Sequence, residues 1–350
     1  MRRITLTSIA DLDSLPFDEV IDVRSPSEYA EDHIPGAVNL PSLSDDERAQ
    51  VGTIYVQQSR FLARRLGAAL VARNAAHYLE TYLADKPANY RPLVYCWRGG
   101  QRSASIALIL GQIGWQVGVI EGGWKSWRRQ VQAALYDTPF PAPVVVLDGN
   151  TGTAKTAILH KVAALGGQVI DLEGLARHRG SLFGLAPGDR QPAQKGFESA
   201  LALAAARLDP KRPVLVEAES NRIGDLRIPP SLWKAMQAAP RIEIDAPLAA
   251  RADWLVRAYA DVTADTAELR ARIDALAPYQ PRETIDTWRA LADAGDFAAL
   301  ASGLMQEHYD PRYARTQLRQ GRAPQTVLRA EALDDAAQQE LAQTIAALLD

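Results

Sequence analysis

The chain has 350 residues, more than one core usually serves, so two domains are expected. A composition of 47% hydrophobic and 23% charged residues is that of a folded globular chain and excludes disordered and low-complexity classes. Thirty-nine basic against 42 acidic residues leave a net charge of −3, which argues against indiscriminate coating of nucleic acid but leaves room for a local basic face.

In chain order, Val20–Val23 reads as a short buried strand. A helical insert follows over about 42–90, with its regular part over about 45–84. Leu93–Cys96 is the next strand, Ser103–Ile113 a helix and Val117–Ile120 a third strand. The longest apolar run, around Ile106–Leu110, is far short of the roughly 18 residues of a membrane helix. No long apolar stretch follows Met1-Arg2-Arg3-Ile4-Thr5, so neither a signal peptide nor a membrane partner is expected. Asp137-Thr138-Pro139-Phe140-Pro141-Ala142-Pro143 disfavours helix and reads as a linker over 137–143. Beyond it, strands at Val144–Leu147, Val169–Leu172, Val214–Glu217 and Ile242–Asp245 alternate with helical segments. From about 247 the chain reads mostly helical, including Asp334–Leu349. Strands alternating with helices imply parallel α/β sheets on both sides of the linker, in domains of residues 1–136 and 144–350.

Cys96, the only cysteine, cannot close an internal disulfide, which fits a reducing cytoplasmic setting. It ends a strand and is followed by Trp97-Arg98-Gly99-Gly100-Gln101-Arg102-Ser103 and a helix. Loop amides, a helix N-terminus and two arginines favour thiolate over thiol, and the same cradle holds an anion against the sulfur. A lone cysteine is more often a small buried hydrophobe, but this order of elements reverses the odds. The second motif is Gly149-Asn150-Thr151-Gly152-Thr153-Ala154-Lys155-Thr156, between a strand and an apolar helix. Its amides would cradle phosphates, Lys155 would reach the terminal ones, and Thr156 would hold Mg2+. Ala154 stands where the pattern calls for glycine and restricts φ. Glu217, ending a strand, occupies the position expected of a metal-polarising carboxylate, with Glu219 close by; paired acids at a strand end can equally be merely solvated. Glu173, His178, Arg179 and Ser181 after one strand, and Arg222 after another, are further candidate contacts to substrate or metal. Diphosphate is a better-supported ligand of this loop than nucleotide. No metal-ligand spacing is present, so no structural metal is expected, and His33, His77 and His160 read as structural or surface residues.

The cysteine loop, together with Ile21–Ser25, Glu28-Tyr29, His33–Pro41 and Glu121–Trp127, resembles a rhodanese domain over residues 1 to about 135. That family moves a sulfane sulfur or a related atom through its cysteine. Cys96 to Arg102 is six positions, one longer than the usual rhodanese spacing, which widens the cradle toward that of the related phosphatases.

A rhodanese domain followed by a P-loop domain with His178-Arg179-Gly180-Ser181, Gln194–Glu198, Glu217–Gly224 and His308-Tyr309-Asp310-Pro311-Arg312-Tyr313 resembles the tRNA 2-selenouridine synthase family. The resemblance implies an α/β protein with an N-terminal rhodanese-like domain and a P-loop NTPase-like parallel-sheet domain with a helical C-terminal part. It implies an enzyme that converts wobble 2-thiouridine, in tRNAs for Lys, Glu and Gln, to 2-selenouridine. Selenophosphate and geranyl diphosphate would be co-substrates rather than tightly bound cofactors, and the base would pass through S-geranyl-2-thiouridine. The phosphate loop would hold the diphosphate, and the Cys96 loop would bind selenophosphate or carry selenium. Trp97 is a candidate surface for the unstacked base, and Arg60, Arg64, Arg65 and Arg73 are candidate tRNA contacts, with packing and a solvated helix face as their bland readings. The main rival is a general sulfurtransferase fused to a P-loop kinase-like domain. A phosphatase and a noncatalytic tRNA-binding protein are the others.

Overall fold

A computed structural model of the chain describes residues 1–179, 184, 190–320 and 324–349. It forms two compact units: Met1–Thr138 with Pro192–Arg207, and Pro139–Gln191 with Leu208–Asp350.

The first unit is built on five parallel strands, β1 (Arg2–Ile4), β2 (Glu19–Asp22), β3 (Val38–Asn39), β4 (Pro92–Tyr95) and β5 (Gly118–Ile120), in the order β1-β5-β4-β2-β3. Every residue of the central strand β4 is buried, as a short unbroken apolar run in a sheet covered on both faces must be. The three strands expected from sequence are present. The two edge strands β1 and β3 are three and two residues long, too short to carry a hydrophobic period of their own. The insert is two helices, Asp45–Gln57 and Arg60–Glu80, where the sequence read as one helical stretch. Ser44 and Glu47 close a reciprocal capping box on the first. The Ser59 hydroxyl accepts from the amides of Phe61 and Leu62 and starts the second. The second helix buries Ala63, Leu70, Val71 and Ala75 on one face and leaves Arg60, Arg64, Arg65 and Arg73 exposed.

The first unit is discontinuous in sequence. Helix Gln194–Ala206 follows the linker but packs within it. Trp127, fully buried, donates from Nε1 to Ser199 Oγ at 3.1 Å. Glu198, itself buried, pairs with Arg128 and accepts from the Tyr136 hydroxyl at 2.7 Å. Apolar residues at helical spacing show that a helix buries a face, but not in which domain.

The second unit has five parallel strands, β6 (Val144–Asp148), β7 (Gln168–Ile170), β8 (Val214–Glu217), β11 (Arg241–Asp245) and β12 (Thr326–Arg329), in the order β12-β11-β6-β8-β7. Between β8 and β11 lies an antiparallel hairpin, β9 (Arg222–Ile223) and β10 (Leu226–Arg227), turned through Gly224 at φ +58°. The edge strand β12 interrupts a region expected to be mostly helical. Helices Leu248–Ala258, Thr266–Asp274, Arg282–Ala294 and Phe297–Leu304 surround an apolar cluster that includes Val262, Leu269, Trp288 and Leu300. In both units the conspicuous loop leaves the carboxyl end of an interior strand, β4 or β6, where open α/β sheets place ligands.

Truncating Trp127 to alanine is expected to cost about 3–5 kcal/mol of stability in the first unit. Hydrogen exchange should then speed up in peptides from 194–206 as well as in those from 123–132, with β6 peptides unaffected. Unchanged protection of 194–206 would separate that helix from the first unit.

Candidate functional site

Cys96 begins where β4 ends, and helix Gln101–Gln112 starts four residues beyond Trp97. The Gly100 amide donates to Cys96 Sγ at 3.3 Å, and Ser103 Oγ lies 3.2 Å from the sulfur. Burial pushes the thiol up, but the Ser103 hydroxyl and amide, the Arg98 amide and the Arg102 charge together outweigh it, so the thiol sits below its ordinary value. The direction is the one expected from the loop. Arg98 and Gln101 are exposed at its rim. Arg102 instead donates to Glu28 at 2.9 and 3.5 Å, so it acts on the sulfur as a positioned charge, and the clamp that positions it is Glu28.

The loop keeps its shape through close backbone approach. The amides of Trp124 and Lys125 donate to the carbonyls of Cys96 (2.8 Å) and Trp97 (3.1 Å). A Cβ on Gly123 would lie 2.1 Å from the Cys96 carbonyl oxygen, and one on Gly99 2.6 Å from that of Ile120, so neither position accepts a side chain. Trp97 stacks on Trp124 at 4.5 Å, which takes up one face of its ring. His33 stacks on Tyr29 at 3.8 Å and bonds its carbonyl, a structural role as expected. Arg64 shares the lining of a groove with Gln101 and Arg102, which puts the basic helix beside the cysteine loop.

In the second unit, Gly149–Thr156 wraps the N-terminus of helix Lys155–Ala164. Lys155 Nζ donates to the carbonyls of Gly149 (2.7 Å) and Asn150 (3.3 Å), so the ammonium is held over the loop until an anion competes for it. Gly149 and Gly152 have φ of +140° and +86°. Ala154 adopts the left-handed conformation too, at φ +60°, which costs an alanine about 1–2 kcal/mol. Its methyl is buried in the cluster with Leu147, Ile158 and Ile244, so the deviation from glycine is packed into the fold and the loop keeps its course.

Glu173, Arg179 and Glu219 line the same cavity as Lys155 and Thr156. Thr156 Oγ1 donates to Glu173 at 3.0 Å. Burial, then the charge of Glu173, push Glu219 up to about 8 and Glu217 well above the carboxylate range, and burial raises Glu173 as well. Glu217 is buried at the end of β8, and neither of its carboxylate oxygens has a hydrogen-bond donor in good geometry. An orphaned buried carboxylate beside a threonine hydroxyl fits a hard cation. Among the described residues no three His, Cys, Asp or Glu side chains converge into an all-protein metal site, so a Mg2+ here would need phosphate oxygens as ligands. His178 and Arg222 do not line this cavity. Arg222 is exposed on the β9 hairpin, 3.7 Å from Asp225. Ser181 lies outside the described residues.

Sequence reasoning missed Arg251. It is buried, donates to the Thr151 carbonyl at 3.1 Å and grips both Asp310 oxygens at 3.0 and 2.9 Å. Tyr313 donates to Asp148 Oδ1 at 2.8 Å, and that same oxygen accepts the Gly149 amide at 2.9 Å. The His308–Tyr313 stretch, conspicuous in sequence but without an assigned role, is thus tied to the phosphate loop through Arg251 and Asp148, and its Tyr309 and Tyr313 line the same cavity. Arg251 carried no signal because it sits in an ordinary amphipathic helix.

Two measurements check these electrostatics. Glu219 holds its proton more tightly in the folded chain (about 8) than at the ordinary 4.5, so its ionisation opposes folding increasingly as pH rises from about 4.5 to 8. Glu219→Gln should therefore raise the urea midpoint at pH 8 and leave it unchanged near pH 4.5; an equal effect at both would contradict the shift. Iodoacetamide labelling of Cys96 should reach half-maximal rate below the ordinary thiol pKa. Ser103→Ala should move that midpoint upward and slow labelling several-fold at pH 7.

Two family models match the chain: a rhodanese-like domain over residues 8–130 and a tRNA 2-selenouridine synthase AAA domain over residues 142–277. Proteins named tRNA 2-selenouridine synthase are similar along most of its length. The one from Chromohalobacter salexigens is 39% identical, over 69% of this chain and 65% of that protein. The one from Aeromonas salmonicida is 38% identical, over 74% of this chain and 69% of that protein. The one from Hahella chejuensis is 33% identical, over 84% of each. The alignment with the first of these thus spans just under two thirds of its length. With a rhodanese-like unit, a phosphate-loop unit and these relatives, the chain belongs to the tRNA 2-selenouridine synthase family.

Proposed function

We propose that the protein is a cytoplasmic tRNA-modifying transferase that replaces the sulfur of wobble 2-thiouridine, in tRNAs for Lys, Glu and Gln, with selenium from selenophosphate. The reaction proceeds through an S-geranyl intermediate made from geranyl diphosphate. One observation carries this reading: a single chain has two different anion cradles. One holds an acidified thiol, and the other holds a lysine, a threonine and buried carboxylates.

In the first step the thiocarbonyl sulfur attacks C1 of the geranyl group. The C1–O bond breaks, diphosphate leaves with the electron pair, and the base loses its N3 proton. Lys155 turns from the Gly149 and Asn150 carbonyls to the departing diphosphate, and the loop amides take the rest of its charge. Thr156, Glu173 and Glu217 would hold Mg2+, which supplies further neutralisation of the leaving group. Alkylation makes the sulfur a better leaving group. In the second step selenium attacks C2, the C2–S bond breaks, and geranylthiolate departs. The phosphate end of selenophosphate sits among the Gly100 amide, the rim residue Arg98 and the helix N-terminus, against Cys96. Before that attack the Cys96 thiolate takes the phosphoryl group from selenium, so the nucleophile at C2 is hydrogen selenide, whose proton ends on N3, and water then releases phosphate from the cysteine sulfur. Arg60, Arg64, Arg65 and Arg73 contact tRNA phosphates, which the groove shared by Arg64 and Arg102 supports.

The test is incubation with 2-thiouridine tRNA, geranyl diphosphate and selenophosphate, followed by nucleoside mass spectrometry. Wild type should yield selenouridine, Cys96→Ser should stop at S-geranyl-2-thiouridine, and Lys155→Ala should lose at least about 100-fold of the geranylation rate. Unchanged thiouridine in all three would leave the general sulfurtransferase as the better reading.

A further inference from the structure

In the six positions from Cys96 to Arg102, the amides of Arg98 and Gly100 are turned toward the sulfur. The helix that starts at Gln101 has no acidic residue in its first turn, so its N-terminal potential adds to that of the amides. Ser103 Oγ lies between the sulfur, at 3.2 Å, and the Gly100 carbonyl, to which it donates at 3.1 Å. Its proton can turn from that carbonyl to an ionised sulfur.

A groove of about 610 Å³ starts where the loop ends, within the roughly 300–1,000 Å³ of small-molecule sites. Gln101 and Arg102 belong to both. Its walls include the apolar side chains of Leu43, Val51, Val71 and Leu108, with Tyr55 and Arg64, and none of its lining residues is acidic. The sequence around it has the same bias. From Arg48 to Ile120 there are nine basic residues and two acidic ones, Glu80 and Asp85, in a chain of net charge −3. Such surroundings attract a phosphate dianion. They offer no carboxylic acid along the groove to protonate a leaving group.

Resting on the reading of Cys96 as the acceptor of a phosphoryl group, we propose that the Cys96 loop is also a phosphomonoester hydrolase site. It acts without tRNA on aryl phosphates whose phenolate leaves unprotonated, with the phosphate in the loop and the aromatic body in the groove. Cys96 Sγ attacks phosphorus, the P–O bond to the aryl group breaks, and the phenolate departs with the electron pair. Water then attacks the phosphocysteine, and the P–S bond breaks. The thiolate leaves with its pair toward the Ser103 hydroxyl, one water proton passes to solvent, and hydrogen phosphate is released.

The test is hydrolysis of p-nitrophenyl, phenyl and acetyl phosphate by the full chain at neutral pH, without tRNA or geranyl diphosphate. Wild type should release nitrophenolate, and Cys96→Ser should be slower by at least about 100-fold. Phenyl phosphate, whose leaving group has a tyrosine-like pKa of about 10, should be slower than the nitrophenyl ester by at least about 100-fold. Ser103→Ala should give a burst of about one nitrophenolate per chain and then a slower steady state, because breakdown of phosphocysteine becomes limiting. A merely structural loss would lower both phases together. Ala68→Phe, on the exposed groove wall, should lower the preference for nitrophenyl over acetyl phosphate severalfold. A wild-type rate no higher than that of Cys96→Ser overturns the hydrolase site. If the same preparation still forms selenouridine on 2-thiouridine tRNA, the hydrolase alone falls; if it forms none, the reading of Cys96 falls with it. Hydrolysis by a chain that forms no selenouridine upholds the hydrolase and overturns the tRNA reading. Phenyl phosphate turned over as fast as the nitrophenyl ester, or an unchanged preference in Ala68→Phe, overturns the substrate class, and a Ser103→Ala chain without a burst removes Ser103 from the second step.

Discussion

A loop of backbone amides can serve an anion only if its carbonyls, which are equally polar and point the other way, are engaged elsewhere. Both units meet that constraint, and much of their architecture around the two loops follows from it. In the first, the carbonyls of Cys96 and Trp97 are taken by the amides of Trp124 and Lys125. In the second, the Thr153 hydroxyl and amide take that of Asn150 at 2.9 and 3.3 Å, and Arg251 takes that of Thr151. The glycines whose missing side chains admit these approaches, Gly123 against Cys96 and Gly152 against Arg251, are the cost of the arrangement in backbone entropy.

The two sites use opposite electrostatic strategies. Around Cys96, local donors overcome burial and draw the thiol toward its charged form. Around Lys155, burial raises Glu173, and burial with the charge of Glu173 raises Glu217 and Glu219 toward their neutral forms.

Much of this was legible in residue order. The cysteine loop and the phosphate loop are local: strand, glycines, charged residues and helix lie within a dozen positions, so chemistry and conformation can be read together. Cys96 follows its strand and precedes its helix as read, and Lys155 and Thr156 open the helix after the second loop. Arg102 also lies in the loop, but its engagement with Glu28 depends on a residue 74 positions away. The links from Arg251 to Asp310 and from Tyr313 to Asp148 likewise join elements distant in sequence. The single expected helix of the insert became two because Ser59 offers its hydroxyl to the backbone, a capping choice hidden within an otherwise helical composition.

The sequence by itself determined the α/β class and the strand–loop–helix order around Cys96 and around Lys155, because each rests on contiguous residues whose backbone preferences act over one or two turns. Only the tertiary structure decided that helix Gln194–Ala206 belongs to the first unit, that Ala154 keeps a left-handed backbone, and that Arg251 stands behind the phosphate loop. Those features depend on which buried faces meet, and hydrophobic burial is non-directional: a pattern of apolar residues states that a face will be covered, but not by what.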